Sequence, residues 1–398
     1  MTSGDPLLRW RCEFPILEGT VYLISNSLGA MPRAVARSLQ EYADTWAARG
    51  VRAWAEGWWE MPVRLADRLT PILGSGPGEV AFQPNVTLAA AVILSCFDFA
   101  GRRRKIVYGA MEFPSLIYLC EAERSRGAET AVVESGDGVT IDLERLLAAI
   151  DSETLVVVVS HVLFRSAFIQ DVAAILRRAH EVGAYVILDV YQSAGTVPLD
   201  VRALGADFVV GGCLKWLCGG PGAAFLYVRP DLRATLRPSL TGWMAHESSF
   251  AFETGAIRLR DDAFRFLNGT PAIPALYAAG AGLQIIAEIG VEAIRSKSVR
   301  QVARLIELAL AAGFPVTAPA RPAERGGTVA IDPPHAYEIS RELLRRNFLV
   351  DFRPGAGIRV SPHFYTRDDE LEAVVREIRD ILDSKAYVAH RSARSYVT

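Results

Sequence analysis

A chain of 398 residues is too long for one hydrophobic core, so at least two domains are expected. Basic and acidic residues, 43 against 45, are interspersed and nearly cancel at −2, which excludes the basic face of a nucleic-acid binder. Five cysteines without a CxxC pair exclude a zinc ribbon or a disulfide framework, and no metal site is expected.

The start, MTSGDPLLRWRCEFP, lacks the apolar core of a signal peptide. The longest apolar stretch, LAAAVILSCFDFAG (88–101), is broken by Asp98 and is too short to cross a bilayer. The expected setting is reducing and cytoplasmic, with neither membrane nor nucleic acid as partner.

In chain order, QPNVTLAAAV (83–92) opens a helix at Asn85 and Thr87. The runs KIVYGA (105–110), TLVVVVS (154–160), AYVILDV (184–190), DFVVGG (207–212) and AAFLYV (223–228) are short and apolar throughout, as strands covered on both faces should be. Between two of them, IQDVAAILRRAHEVG (169–183) has helical spacing and a terminal glycine. This is a βαβ unit in a mostly parallel sheet. From about 290 the pattern changes: helices near 291–313, 336–347 and 367–384 alternate with short extended runs, which reads as a smaller α+β domain. The expected division is a 1–50 segment packing on the small domain, a large domain over 51–285, a small domain over 286–385 and a flexible tail over 386–398.

Ligands of an open parallel sheet sit beyond the carboxyl ends of its strands. Those ends carry Ser160, then Asp189 with Gln192, then Lys215, which stands in an apolar, glycine-rich run, VVGGCLKWLCGGPGAAFLYV (209–228). Asn85 and Thr87 offer free N–H groups and a hydroxyl to an anion. Phe113 ends a further strand. An anion cradle, an aromatic plate, a buried acid and a buried lysine together suit pyridoxal phosphate, which has a phosphate, a flat ring with a basic nitrogen and an aldehyde that takes an amine. Each signal is weak alone; their order, with Asp189 and Lys215 26 residues apart, carries the reading.

The motifs YLISNSLGAMP (22–32), RAWAEGWWEMPVRLADRL (52–69), EFPS (112–115), GADFVVGGCLKWLCGGPGA (205–223), LTGWMAHE (240–247) and FLNGTPAI (266–273) resemble the class V branch of fold-type-I pyridoxal-phosphate enzymes and, within it, the kynureninases. The resemblance implies a large α/β domain with a mostly parallel sheet flanked by helices, a smaller C-terminal α+β domain, and a homodimer with shared active sites. It implies Lys215 as the Schiff-base lysine and Asp189 as partner of the ring nitrogen. Phe113 would stack on the ring, Val86 and Thr87 would hold the phosphate, and Ser160 and Gln192 would lie beside the ring. Trp243, Asn268 and Thr270 would reach the phosphate from the neighbouring subunit. Arg359, in GIRVSP, would bind the substrate carboxylate, with Asn26, Ser27 and Trp58 as further substrate residues.

Three positions depart from the kynureninases. Leu214 stands where they carry a tyrosine that binds phosphate and is a candidate proton donor, Leu116 where they have aspartate, and Gln192 where they have histidine. The loop HVLFRSAF (161–168) differs as well. The expected reaction is hydrolytic Cβ–Cγ cleavage of kynurenine or a related aryl amino acid. The alternatives are another class V reaction (transamination, β-elimination or desulfuration) or a homologue that binds without turnover. Cys213 and Cys218 read as small buried hydrophobes.

Overall fold

The computed structural model describes residues 4–391. Among the described residues thirteen strands form three sheets: β1 (Val21–Tyr22), β2 (Val80–Gln83), β3 (Lys105–Gly109), β4 (Glu129–Val133), β5 (Thr154–Ser160), β6 (Tyr185–Asp189), β7 (Phe208–Gly212), β8 (Ala224–Val228), β9 (Val316–Thr317), β10 (Val329–Ile331), β11 (Phe348–Leu349), β12 (Asp351–Arg353) and β13 (Gly357–Val360). The longer helices are α1 (Ala34–Arg49), α2 (Val86–Leu94), α3 (Pro114–Ala122), α4 (Val172–Glu181), α5 (Ile273–Ile289), α6 (Val291–Ala311), α7 (Ala336–Arg345) and α8 (Asp368–Ser384).

The central sheet has seven strands in the order β2-β8-β7-β6-β5-β3-β4. Strands β7, β6, β5, β3 and β4 are parallel, while β8 is antiparallel to both β7 and β2. The five strands expected from apolar runs are all present. The sequence reading missed β2, and also β4, an edge strand that begins with Glu129 and Thr130 and is partly exposed. Alternating side chains cover both faces. Val157, Val159, Val186, Leu188 and Val209 pack in one core with Ile175 and Leu176 of α4, and Val156, Val158, Ile187, Phe208 and Val210 in a second with Ala89, Val92 and Ile93 of α2. The inner strands are therefore covered on both sides up to their carboxyl ends.

Gly290, at φ 83°, ends α5, and α6 leaves it at 82°. The change of direction thus falls just after the expected boundary at 285. Beyond it, an antiparallel sheet in the order β12-β13-β10-β9 packs on α6, α7 and α8. The N-terminal segment divides. Its first part is tied to this smaller unit: Asp5 pairs with Lys297 (2.7 Å), Arg11 with Glu370 (2.7 Å), and β1 pairs with β11. Helix α1 instead packs along α5. Residues 386–390, expected to be loose, form a 3-10 turn in which Tyr387 is buried and stacked on His335 at 4.3 Å. The rest of that expected tail, 392–398, lies outside the described residues. Among the described residues no single helix is long and apolar enough to cross a membrane.

Helix α5 lies directly against the turn that carries Lys215. A Cβ on Gly282 would come within 2.2 Å of the Leu217 carbonyl oxygen and 2.5 Å of that of Cys218. Alanine normally gains about 1 kcal/mol over glycine inside a helix. Here overpacking outweighs it, so Gly282→Ala is expected to destabilise the protein by about 1–3 kcal/mol in chemical denaturation. Gly101→Ala, which meets nothing within 4 Å, should stay within about 0.5 kcal/mol of the parent.

Candidate active site

Strands β5, β6 and β7 end together, and the chain after β7 folds into a tight turn over their ends. The Cys218 N–H donates to the Lys215 carbonyl (3.0 Å) and that of Gly219 to the Cys213 carbonyl (2.7 Å). Beneath this turn lies a cavity of about 190 Å³. Val86, Thr87, Phe113, Ser160, Asp189, Gln192 and Lys215, seven of the residues singled out from the sequence, all line it.

Its electrostatics follow from burial. Asp189 is buried at the end of β6, where it accepts from the Tyr191 N–H (2.8 Å). Desolvation pushes its carboxyl up to about 6, against the backbone hydrogen bond and the charge of Lys215. Desolvation likewise pulls the Lys215 amine down to about 8, with Asp189 opposing the shift and Arg359 adding to it. The amine sits 4.4 Å from the centre of the Tyr191 ring and 5.5 Å from that of Phe113, so two aromatic faces attend it.

A third ionisable group stands behind the wall. Glu112 is buried and accepts from the Ser160 N–H (2.8 Å), the Ser160 hydroxyl and the Gln170 amide (3.3 Å). Burial pushes its carboxyl up to about 8, and the nearby Asp189 adds to the rise.

At the other end of the cavity, Asn85 caps α2 by accepting from the Leu88 N–H (2.9 Å). This leaves the Val86 and Thr87 N–H groups of the first turn without helix partners. Phe113 is 42% exposed at the rim, edge-on to Phe164 at 5.3 Å. Leu116, Val162 and Leu214 complete an apolar wall.

The remaining candidates lie elsewhere. Arg359 is buried on β13, its fork closed on Asp351 of the neighbouring strand, and it donates to the Phe164 carbonyl at 2.6 Å. Arg353 also reaches Asp351, at 3.2 Å. The Asn26 amide donates to Ser361 Oγ (2.8 Å) and turns its oxygen to the Arg359 guanidinium at 3.1–3.2 Å. Ser27 lies in the turn after it and does not line the cavity. Gln192 lines the cavity, but both ends of its amide are engaged, with Trp216 Nε1 (2.9 Å) and the Asn26 carbonyl (3.0 Å). Trp58 is not brought to the site: it is buried in the core, stacked on Tyr42 at 5.5 Å and donating to the Tyr277 hydroxyl (3.3 Å). Trp243 is in an exposed aromatic group with Phe250 and Phe252. Asn268 and Thr270 form a turn beside Gln83 and Pro84, outside the cavity. Cys213 and Cys218 are buried.

Three residues escaped the sequence reading. Glu112 follows the end of β3 as Asp189 ends β6, so the strand-end rule that found one applied to the other. Tyr191 stands two residues after Asp189, in the turn beyond the end of β6. Asp351 is paired with Arg359 by the β12–β13 register, and the spacing of eight residues across a turn gave no such sign.

The family model described as aminotransferase class V matches residues 21–350. The kynureninase of Burkholderia pseudomallei (strain 1106a) is 33% identical over 100% of this chain and 98% of its own length. That of Pseudomonas fluorescens is 32% identical over 97% and 95%. Among solved structures, the apo cysteine desulfurase of Thermococcus onnurineus NA1 superposes with a TM-score of 0.83 at 22% identity, covering 94% of this chain and 98% of that one. The cystine C–S lyase C-DES, in complex with cysteine persulfide, gives 0.82 at 20% identity, covering 92% and 99%. At such identities the likeness is one of fold.

Glu112 makes the stability of this site pH-dependent. Its native carboxyl holds a proton up to about pH 8, whereas the unfolded chain releases it near 4.5. Between these values the unfolded state binds fewer protons, so this group's contribution to stability falls as pH rises and levels off above about 8. Glu112→Gln removes that slope. Denaturation midpoints measured from about pH 5 to 8 should show the difference between parent and variant shrinking or reversing; parallel curves would contradict it.

Proposed function

We infer that this chain, which belongs to the class-V aminotransferase family, is a pyridoxal-phosphate enzyme that cleaves the Cβ–Cγ bond of kynurenine or a related aryl amino acid by hydrolysis. The observation that carries the cofactor reading is the cavity itself, which joins Asp189, Lys215 and the open first turn of α2 in one small space. This donor set fits the cofactor: an amine for its aldehyde, an acid for its ring nitrogen, free N–H groups for its phosphate and an aromatic face for its ring. When bound, the cofactor supplies an electron sink for carbanion chemistry at the substrate α-carbon.

The chain's own residues do the rest. Asp189, ionised beside Lys215, would hold a proton on the ring nitrogen of the bound cofactor. Lys215, at about 8, is neutral in about a tenth of molecules at pH 7, so it both attacks as an amine and moves a proton at Nζ. Val86 and Thr87 would hold the phosphate, Phe113 forms one wall, and Ser160, whose hydroxyl is oriented by Glu112, keeps its oxygen free to accept. Leu116, Val162 and Leu214 exclude water and strengthen each charge interaction inside. Arg359 and Arg353 share one carboxylate, Asp351, and leave a net positive charge to draw the substrate carboxylate.

The aryl substrate is favoured by full-length likeness to kynureninases and by the Phe113–Phe164 rim. A sulfur relay is disfavoured because no cysteine lines the cavity. The purified protein with pyridoxal phosphate should develop an absorbance band that Lys215→Ala abolishes, and should release fluorescent anthranilate from kynurenine or its 3-hydroxy derivative. Sulfide or pyruvate from cysteine would replace the proposed reaction with desulfuration or elimination. A band with no turnover of either would reduce it to a binding role.

We also propose a homodimer in which Asn268, Thr270 and Trp243 complete the partner's phosphate site. The support is an aromatic surface: Phe252 is 71% exposed and Phe250 58%, beside Trp243. Phe252→Asp with Phe250→Asp should convert a dimer to a monomer in analytical ultracentrifugation; an unaltered dimer would place the interface elsewhere.

A further inference from the structure

Tyr191 has a part in this cavity that the sequence did not signal. Its ring lies across Gly212: a Cβ there would stand 2.6 Å from both Cζ and Oη of the phenol. Gly212 ends β7, and what lies above that end follows from topology. β2 is antiparallel to β8, which is antiparallel to β7, so β2 and β7 run the same way and finish at the same edge. Helix α2 starts just after β2 and packs back over β7 and β8. Its first turn is therefore at the edge where the Tyr191 phenol lies, and Val86, Thr87 and Tyr191 all line the one cavity.

The phenol is equipped to donate. Among the described residues Tyr191 Oη has no hydrogen-bond partner in the protein, although its backbone N–H is held by Asp189. Burial raises its pKa, as do Cys213 and Asp189, so it keeps its proton at neutral pH. Leu214, the residue before the lysine, has no polar atom in its side chain, and Gly212 has no side chain at all.

We propose that the Tyr191 hydroxyl donates a hydrogen bond to the phosphate of pyridoxal phosphate at the first turn of α2, the contact that Leu214 cannot make. This rests on the cofactor reading above. The competing role for Tyr191 is positional, through its ring and the Lys215 amine 4.4 Å away. The two differ in what happens when the phosphate is missing from the ligand.

The test titrates full-length apoprotein with pyridoxal phosphate and, separately, with pyridoxal, following the Lys215-dependent absorbance band to a dissociation constant for each. Tyr191→Phe should weaken pyridoxal phosphate by about 10- to 100-fold, the range of one hydrogen bond to a charged group, and change pyridoxal less than about twofold. Gly212→Ala, which displaces the phenol, should likewise weaken pyridoxal phosphate more than pyridoxal and serves if the first variant does not melt like the parent. Equal weakening of both ligands, or of neither, overturns the proposal and leaves Tyr191 a packing or lysine-positioning residue. Absence of any Lys215-dependent band in the parent overturns the cofactor reading instead.

Discussion

Exclusion of water from the carboxyl edge of the central sheet governs this pocket. Both faces of β5, β6 and β7 are covered to their last residues, so Asp189 lines a cavity shared with Lys215 while Glu112 is buried behind its wall. Desolvation alone would neutralise all three. The acids rise to about 6 and 8 and the amine falls to about 8. Asp189 and Lys215 offset part of this by facing each other, while Glu112, which has no cation among its contacts, keeps its proton. Two buried carboxyls that interact thus take different states at neutral pH: Asp189 has a backbone hydrogen bond and a positive neighbour to hold it down, while Glu112 is raised further by the charge of Asp189.

Such a pocket works only if the lysine turn is fixed, and the structure fixes it from several sides with little side chain to spare. The Gly29 N–H donates to the Leu214 carbonyl (2.9 Å), and a Cβ on Gly29 would meet the Lys215 carbonyl at 2.1 Å. Gly282 of α5 closes from another direction. His363, neutral because burial pulls its pKa down to about 3, donates from Nε2 to the Trp216 carbonyl (2.8 Å). Gln192 spans Trp216 and Asn26. Backbone approaches this close require glycine, and they bind the N-terminal segment, the large sheet and the smaller unit to one turn of seven residues.

How much of this was legible depends on whether a residue acts along the chain or across it. The strands of the sheet could be read from β-branched runs, and Ser160, Asp189 and Lys215 from the rule that ligands gather at strand ends, because both are properties of contiguous sequence. Tyr191 and Asp351 were not legible. The first matters because its ring crosses to a neighbouring strand at Gly212, and the second because a β-hairpin register sets it opposite Arg359. Trp58 shows the converse. A segment with tryptophans at 54, 58 and 59 does not say which faces a ligand, and packing on Tyr42 and Tyr277 decided it. The edge strand β4 was missed because its exposed residues broke the apolar pattern that identified the others.

The Arg359 environment shows the same cross-chain logic. A guanidinium buried to this degree needs a counter-charge even with no ligand present, and Asp351 supplies it through both oxygens. With the Phe164 carbonyl and the Asn26 oxygen also on it, Arg359 is held on three sides and is a fixed charge more than a free fork. Arg353 is different. It shares Asp351 at 3.2 Å, its other contact is its neighbour's carbonyl at 2.8 Å, and its side chain is 31% exposed. Burial lowers its pKa, so it gains from any further anion brought near. One aspartate between two arginines therefore leaves them in different settings. Arg359 ties the β12–β13 hairpin to the Phe164 loop, whereas Arg353, with fewer partners and more exposure, is the less constrained of the two.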